Sequence, residues 1–199
     1  MVGYTPYYVS GGVHLNTPRL LIASVPRSGS HGLEYVLATN LDVKVIRNHP
    51  GLDTFDENNV KIPAISIVRN PIDCISSWLS MTERAIGEQT EDDLKVFISN
   101  NSKAYEIGMN FAKRKATVIM KYESLSDKDL VIDFFKNKFS LQKISNLLSQ
   151  EQYWQNGIRH EVESSKTHYR YDYIRSLLEK TDLSKINSLY LELFNKADL

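Results

Sequence analysis

The sequence predicts an α/β protein of three layers, with a mostly parallel central sheet between helices. Three observations predict it. Short apolar runs at 20–25, 43–47, 62–68 and 117–120 alternate with longer segments of helical periodicity. Strands that alternate with helices in this way need crossover connections, which lay helices on the faces of a parallel sheet. The third run, IPAISIV at 62–68, is apolar almost throughout rather than at every second position, as expected of a strand buried on both faces.

In chain order, the first strand is LLIASV at 20–25, and a helix follows from 31 to about 40 with Leu33, Val36 and Leu37 on one side. Residues 43–47 form the second strand. The Asp-, Asn- and Gly-rich stretch 48–59 is a loop. Pro63 must sit near the start of the strand at 62–68, because it cannot donate to a ladder. The next helix opens with local capping chemistry: Asn70 as N-cap, Pro71 at the first helical position and Asp73 at the third. Its apolar stripe is Ile72, Ile75 and Leu79. A long helix is predicted over 91–113, a strand over 117–120, and helices over 127–139, 141–148, 171–180 and 183–195, with an irregular polar stretch at 157–170. There is no repeat or linker, so residues 1–199 read as one domain.

Composition narrows the function classes. Lys and Arg number 24, Asp and Glu 24, and the formal net charge is zero. A protein that coats nucleic acid would usually be basic, so no nucleic-acid partner is expected. A single cysteine, Cys74, permits neither an intrachain disulfide nor a Cys-rich zinc site. The opening residues, MVGYTPYYVSGGVHL, have neither a basic start nor a long apolar run. No stretch approaches the ~18 apolar residues of a membrane helix. A cytoplasmic location without a membrane segment is the expectation.

Four segments carry chemistry, and all fall where predicted strands end. Ligands of parallel sheets bind beyond the carboxyl ends of the strands. Pro26-Arg27-Ser28-Gly29-Ser30 joins the first strand to a helix N-terminus. Backbone N–H groups and the positive end of the helix dipole there favour an anion. The pattern G-x-x-x-x-G-K-[ST] is absent, so neither the phosphate-reaching Lys nor the Mg²⁺-holding hydroxyl has its usual place. Arg27 is the loop cation, and the ligand implied is a phosphate type held without metal.

The second segment runs from Ile67 through Arg69, Asn70 and Pro71 to Ser77. Ser77 falls ~10 Å along the helix on nearly the azimuth of Asn70, so Arg69 and Ser77 can close on one anion. Taken alone, a strand-end Arg in a salt bridge and a solvent-facing Ser explain it as well. The third is Arg47-Asn48-His49-Pro50. His suits acid–base work near neutrality, although most loop His residues do none. The fourth is Lys121-Tyr122-Glu123-Ser124-Leu125, where Tyr122 offers a face to a base or simply caps a strand.

Together these residues resemble the sulfotransferase family. The 26–30 loop is similar to that family's 5′-phosphosulfate loop, P-[KR]-[SA]-G-[ST]. Arg69 to Ser77 is similar to its 3′-phosphate motif, R-[ND]-P-x-D-x-x-x-S. Arg47 to Pro50 resembles the K-T-H-x-P segment that carries the catalytic base, and Tyr122 to Leu125 the Y-E-D-L strand end near the adenine. Each motif alone is weak, and the four occur in family order over about residues 20–139. The resemblance implies a P-loop-like nucleotide-binding (sulfotransferase) fold. It also implies 3′-phosphoadenosine 5′-phosphosulfate (PAPS) as donor, no metal, and a small-molecule or glycan acceptor.

On that resemblance, His49 takes the acceptor proton, Arg27 neutralises the leaving oxygen and Arg47 steadies the sulfuryl group. Pro26, Arg27, Ser28, Gly29, Ser30, His31 and Gly32 hold the 5′ end of the donor, Arg69 and Ser77 its 3′-phosphate, and Tyr122 its adenine. Many members have an aromatic after the loop where this chain has Gly32. No R-K-G motif occurs near the C-terminus, and Lys166 within 164–170 is the candidate that closes over the 3′-phosphate. Glu34, Asp53 and Glu57 are reserve bases. Tyr4, Tyr7, Tyr8 and segment 78–89 are candidates for the acceptor pocket. The alternatives are a kinase with a degenerate loop and a non-catalytic nucleotide-binding domain.

Overall fold

The computed structural model describes residues 17–52, 58, 60–144 and 170–199, and the backbone of 8–10. The sheet has five strands: β1 (Tyr8–Ser10), β2 (Arg19–Ala23), β3 (Lys44–Asn48), β4 (Ala64–Val68) and β5 (Val118–Lys121). Their order is β1-β3-β2-β4-β5. Four strands run parallel, and β1 is antiparallel at the β3 edge. The strand at 8–10 was not expected from sequence. It brings Tyr8 opposite Arg47 in register.

Helices α1 (Ser30–Asn40), α2 (Pro71–Ile86), α3 (Glu91–Lys115), α4 (Lys128–Phe139), α5 (Tyr171–Glu179) and α6 (Ser184–Asn195) surround the sheet. Strand periodicity assigns them to faces. Leu20 and Ile22 of β2 belong to a core with Leu33 and Leu37 of α1 and Val131 and Phe135 of α4. Leu21 and Ala23 point the other way, onto Phe111 of α3. On that second side a larger core joins α2, α3, α5 and α6. Gly108 marks how closely α3 crosses the sheet, since a Cβ there would lie 2.4 Å from Val25 Cγ1. The α/β class with a mostly parallel sheet is therefore as expected. None of the helices among the described residues is long and apolar enough to cross a membrane.

Strand order reverses between β2 and β4. The chain leaves β2 for β3 on one side and returns to β4 on the other. Such a reversal opens a crevice at the strand ends, and it sets the loop after Ala23 beside the loop after Val68. The end of β2 is cross-tied to both neighbours. Ser24 N–H donates to Asn48 O (3.3 Å), Ser24 Oγ accepts from Ile67 N (2.8 Å) and Ser66 Oγ donates to Ala23 O (2.6 Å).

Several boundaries differ from expectation. Pro63 precedes β4 instead of lying inside it, and its carbonyl accepts from Leu21 N at 2.9 Å. The helix expected over 141–148 does not begin at Leu141. Residues 141–144 run extended beside 40–42, with Asp42 N bonded to Gln142 O and Ile144 N to Asn40 O. Leu141 is buried there, so its apolar character serves the α1–α4 core rather than a helix stripe. The rest of that segment lies outside the described residues.

Candidate functional site

The loop after β2 is shaped by two left-handed residues, Arg27 (φ 64°) and Gly29 (φ 100°). Gly29 is the N-cap of α1, and no side chain caps that helix end. The first N–H groups of any helix lack carbonyl partners within it, and here they belong to Ser30, His31 and Gly32. Glycine is required at 29 for space as well as for φ. A Cβ would lie 2.5 Å from Leu125 Cδ1 and 2.9 Å from Tyr122 Cδ2. The fourth motif thus packs directly on the first. Ser28 is fully buried, and its hydroxyl has no hydrogen-bond partner among the described residues.

The second motif begins as local chemistry dictates. Asn70 Oδ1 accepts from Ile72 N (3.0 Å) and Asp73 N (3.3 Å), and Pro71 opens α2. Cys74 donates its S–H to Pro26 O at 3.0 Å, which fixes α2 against the loop. Burial pushes that thiol up to about 12. Tyr105 on α3 donates to Arg69 O at 2.5 Å and so anchors the strand end from behind. Asp73 is paired with Arg175 of α5.

Four predicted site residues are in direct contact. Arg27 Nε donates to Ser77 Oγ at 3.0 Å. Arg69 Nη1 donates to Arg27 O at 2.5 Å, and its guanidinium lies 4.2 Å from the centroid of the Tyr122 ring. Arg69 and Ser77 are linked through Arg27, in a chain Tyr122–Arg69–Arg27–Ser77. Among the described residues neither arginine has a carboxylate partner. Burial first, and then the neighbouring Arg69 charge, pull the Arg27 guanidinium below its ordinary range. Two crowded cations, a helix N-terminus and a buried unpaired hydroxyl together favour an anion.

A second cluster lies at the β3 end. Arg47 Nε donates to Glu34 Oε2 at 2.8 Å, both side chains being 5% exposed. Arg47 Nη1 contacts His49 Nε2 at 3.3 Å, and His49 Nδ1 contacts Ser24 O at 2.7 Å. A carbonyl can only accept and a guanidinium can only donate. His49 Nδ1 therefore carries the proton, and Nε2 presents its lone pair. Ser24 stands three residues before Arg27, so one turn of chain joins the two clusters.

The remaining predicted residues sort as follows. Pro26 and Ser30 are buried, Gly32 is exposed, and His31 Nδ1 lies 3.9 Å from Glu34 Oε2. From 78–89, Met81 Sδ accepts from Arg27 Nη1 at 3.7 Å, whereas Glu83 and the Gln89 carbonyl are tied to Arg170. Lys166, Tyr4, Tyr7, Asp53 and Glu57 lie outside the described residues. Sequence reasoning missed Ser24 and Tyr105, included Met81 only within the acceptor-pocket segment 78–89, and gave Glu34 only as a reserve base. An acid on the helix after an anion loop, in a stretch otherwise apolar, was the available signal for Glu34. Among the described residues no group of three or more His, Cys, Asp or Glu is placed to hold a metal ion. No family model, no curated protein and no solved structure matches the chain.

Proposed function

We propose that the protein is a PAPS-dependent sulfotransferase that transfers the sulfuryl group to a hydroxyl or amine of a small-molecule or glycan acceptor. The observation that carries this reading is the contact chain Tyr122–Arg69–Arg27–Ser77, which joins three of the four motifs at the crevice where strand order reverses. The donor set suits the co-substrate. It offers two arginines without carboxylate partners among the described residues, the N–H groups opening α1, and the buried Ser28 hydroxyl. A nucleotide with phosphates at both its 5′ and 3′ positions uses all of them.

In this reading the loop and α1 hold the 5′-phosphate, and Arg69 with Ser77 holds the 3′-phosphate through charge-assisted bonds. His49 accepts the acceptor proton at Nε2 as the acceptor oxygen bonds to sulfur. The bond from sulfur to the bridging oxygen breaks, and its electron pair leaves with the 5′-phosphate. Arg27 offsets the charge that grows on that oxygen.

Calorimetric titration tests the reading. 3′-Phosphoadenosine 5′-phosphate should bind at least about tenfold more tightly than adenosine 5′-phosphate, as two charge-assisted bonds to the extra phosphate require. Arg69→Ala should abolish that preference. Equal affinity for the two nucleotides would exclude the 3′-phosphate assignment, and Mg²⁺-dependent ATP turnover would favour a kinase.

A further inference from the structure

The Glu34–Arg47 ion pair has features that stability alone explains poorly. Both side chains are almost fully buried, and desolvating two charges costs about as much as their attraction returns, so such pairs seldom stabilise a fold relative to apolar residues. The pair is instead placed to orient another group. Arg47 uses Nε for Glu34 and Nη1 for His49. Glu34 lies on α1, the helix whose N-terminus forms the anion loop. Ser24, whose carbonyl accepts from the other side of the imidazole, directly follows β2, the strand that feeds the same loop.

We propose that Glu34 is a positioning residue that acts through Arg47 to hold the His49 ring in register with the loop. The proposal rests on the reading of His49 as the base. The imidazole is held at both nitrogens. Ser24 O fixes Nδ1–H, and Arg47 Nη1 rests on the lone pair of Nε2. The acceptor hydroxyl must take that lone pair from Arg47. With Nε anchored by Glu34, the guanidinium stays beside the ring and turns Nη1 towards the sulfuryl oxygens when it gives up Nε2. Without Glu34, Arg47 loses the ion pair at Nε that ties it to α1, and the ring loses that reference to the loop. His31 Nδ1 lies 3.9 Å from the same Glu34 oxygen.

Ring-nitrogen NMR on the full chain tests this without any donor, with His49 assigned through its loss in His49→Gln. The wild type should show Nδ1 protonated and Nε2 bare, and a ring protonated at Nε2 overturns the proposal. Glu34→Gln should mix the two tautomers or shift the Nε2 resonance. With PAPS and water as sulfuryl acceptor, its kcat should fall about tenfold or more while KM for PAPS stays unchanged, the usual effect of removing an orienting partner. Glu34→Asp, which keeps the charge, should recover most of the loss. A folded Glu34→Gln with unchanged His49 signals and kcat overturns the proposal. If Glu34→Gln does not fold, the wild-type tautomer and the Glu34→Asp spectrum decide. Equal affinity for 3′-phosphoadenosine 5′-phosphate and adenosine 5′-phosphate would remove the proposed function, and the ring spectra would still judge the hold of Glu34 on His49.

Discussion

Arg27 Nε donates to Ser77 Oγ at 3.0 Å, across 50 residues of sequence. The bond joins the loop after β2 to the second turn of α2, and it turns the loop cation towards the helix that opens at Pro71, just after Arg69. Ser77 is buried and Arg27 half-buried, so the bond is partly shielded from solvent. A hydrogen bond to a charged group in such a place contributes about 1.5–3 kcal/mol.

Ser77→Ala should therefore weaken 3′-phosphoadenosine 5′-phosphate binding by about tenfold or more. Thermal stability should fall as well, because Arg27 Nε loses its hydrogen-bond partner. Titration calorimetry beside a melting curve checks both, and unchanged affinity would remove Ser77 from the site.

Gly29→Ala should damage fold and binding together. The φ of 100° strains any side chain, and the new Cβ meets Leu125 and Tyr122 well inside contact distance. A cost of about 1–3 kcal/mol is expected for such a backbone position. A melting temperature equal to that of the wild type would mean that the loop adopts another shape.

His49→Ala should lower turnover of PAPS by about 10²–10⁴-fold, the usual weight of a general base, while nucleotide affinity stays within a factor of about two. Comparable losses in affinity would assign His49 to donor binding instead.

Cys74 should resist alkylation in the native protein at pH 8 and react after denaturation. Its folded-state value of about 12 lies above the ordinary 9.0 because the thiol is buried. The unfolded chain therefore releases this proton first as pH rises. The stability linked to Cys74 is fully present below pH 9.0 and is lost progressively as pH rises towards about 12. Cys74→Ser, whose hydroxyl stays protonated over this range, should show a shallower loss by chemical denaturation at pH 9 and above. Rapid labelling of native protein would contradict the buried bond to Pro26.

How much of this was legible in the sequence depended on range. The start of α2 was readable because Asn70, Pro71 and Asp73 act within one turn of each other. The strand-end placement of Arg27, His49, Arg69 and Tyr122 was readable because apolar runs stop just before them. The partner of Ser77 was not, since the left-handed φ of Arg27 redirects its side chain and only the assembled crevice sets that direction. Glu34 was obscured by its apolar neighbours Leu33, Val36 and Leu37. The strand at 8–10 is three residues long, and its identity comes wholly from pairing with β3.

The outer side of β5 shows a different kind of economy. Ile119 N–H donates to Asp198 Oδ2 at 2.9 Å, Asp198 N–H to Ile119 O at 2.8 Å, and Lys121 N–H to Leu199 O at 2.6 Å. Two residues thus occupy the donors and acceptors that would otherwise invite another strand. A chain cut before Asp198 would present β5 as a bare template, and its characteristic failure would be self-association through that edge rather than loss of the nucleotide crevice.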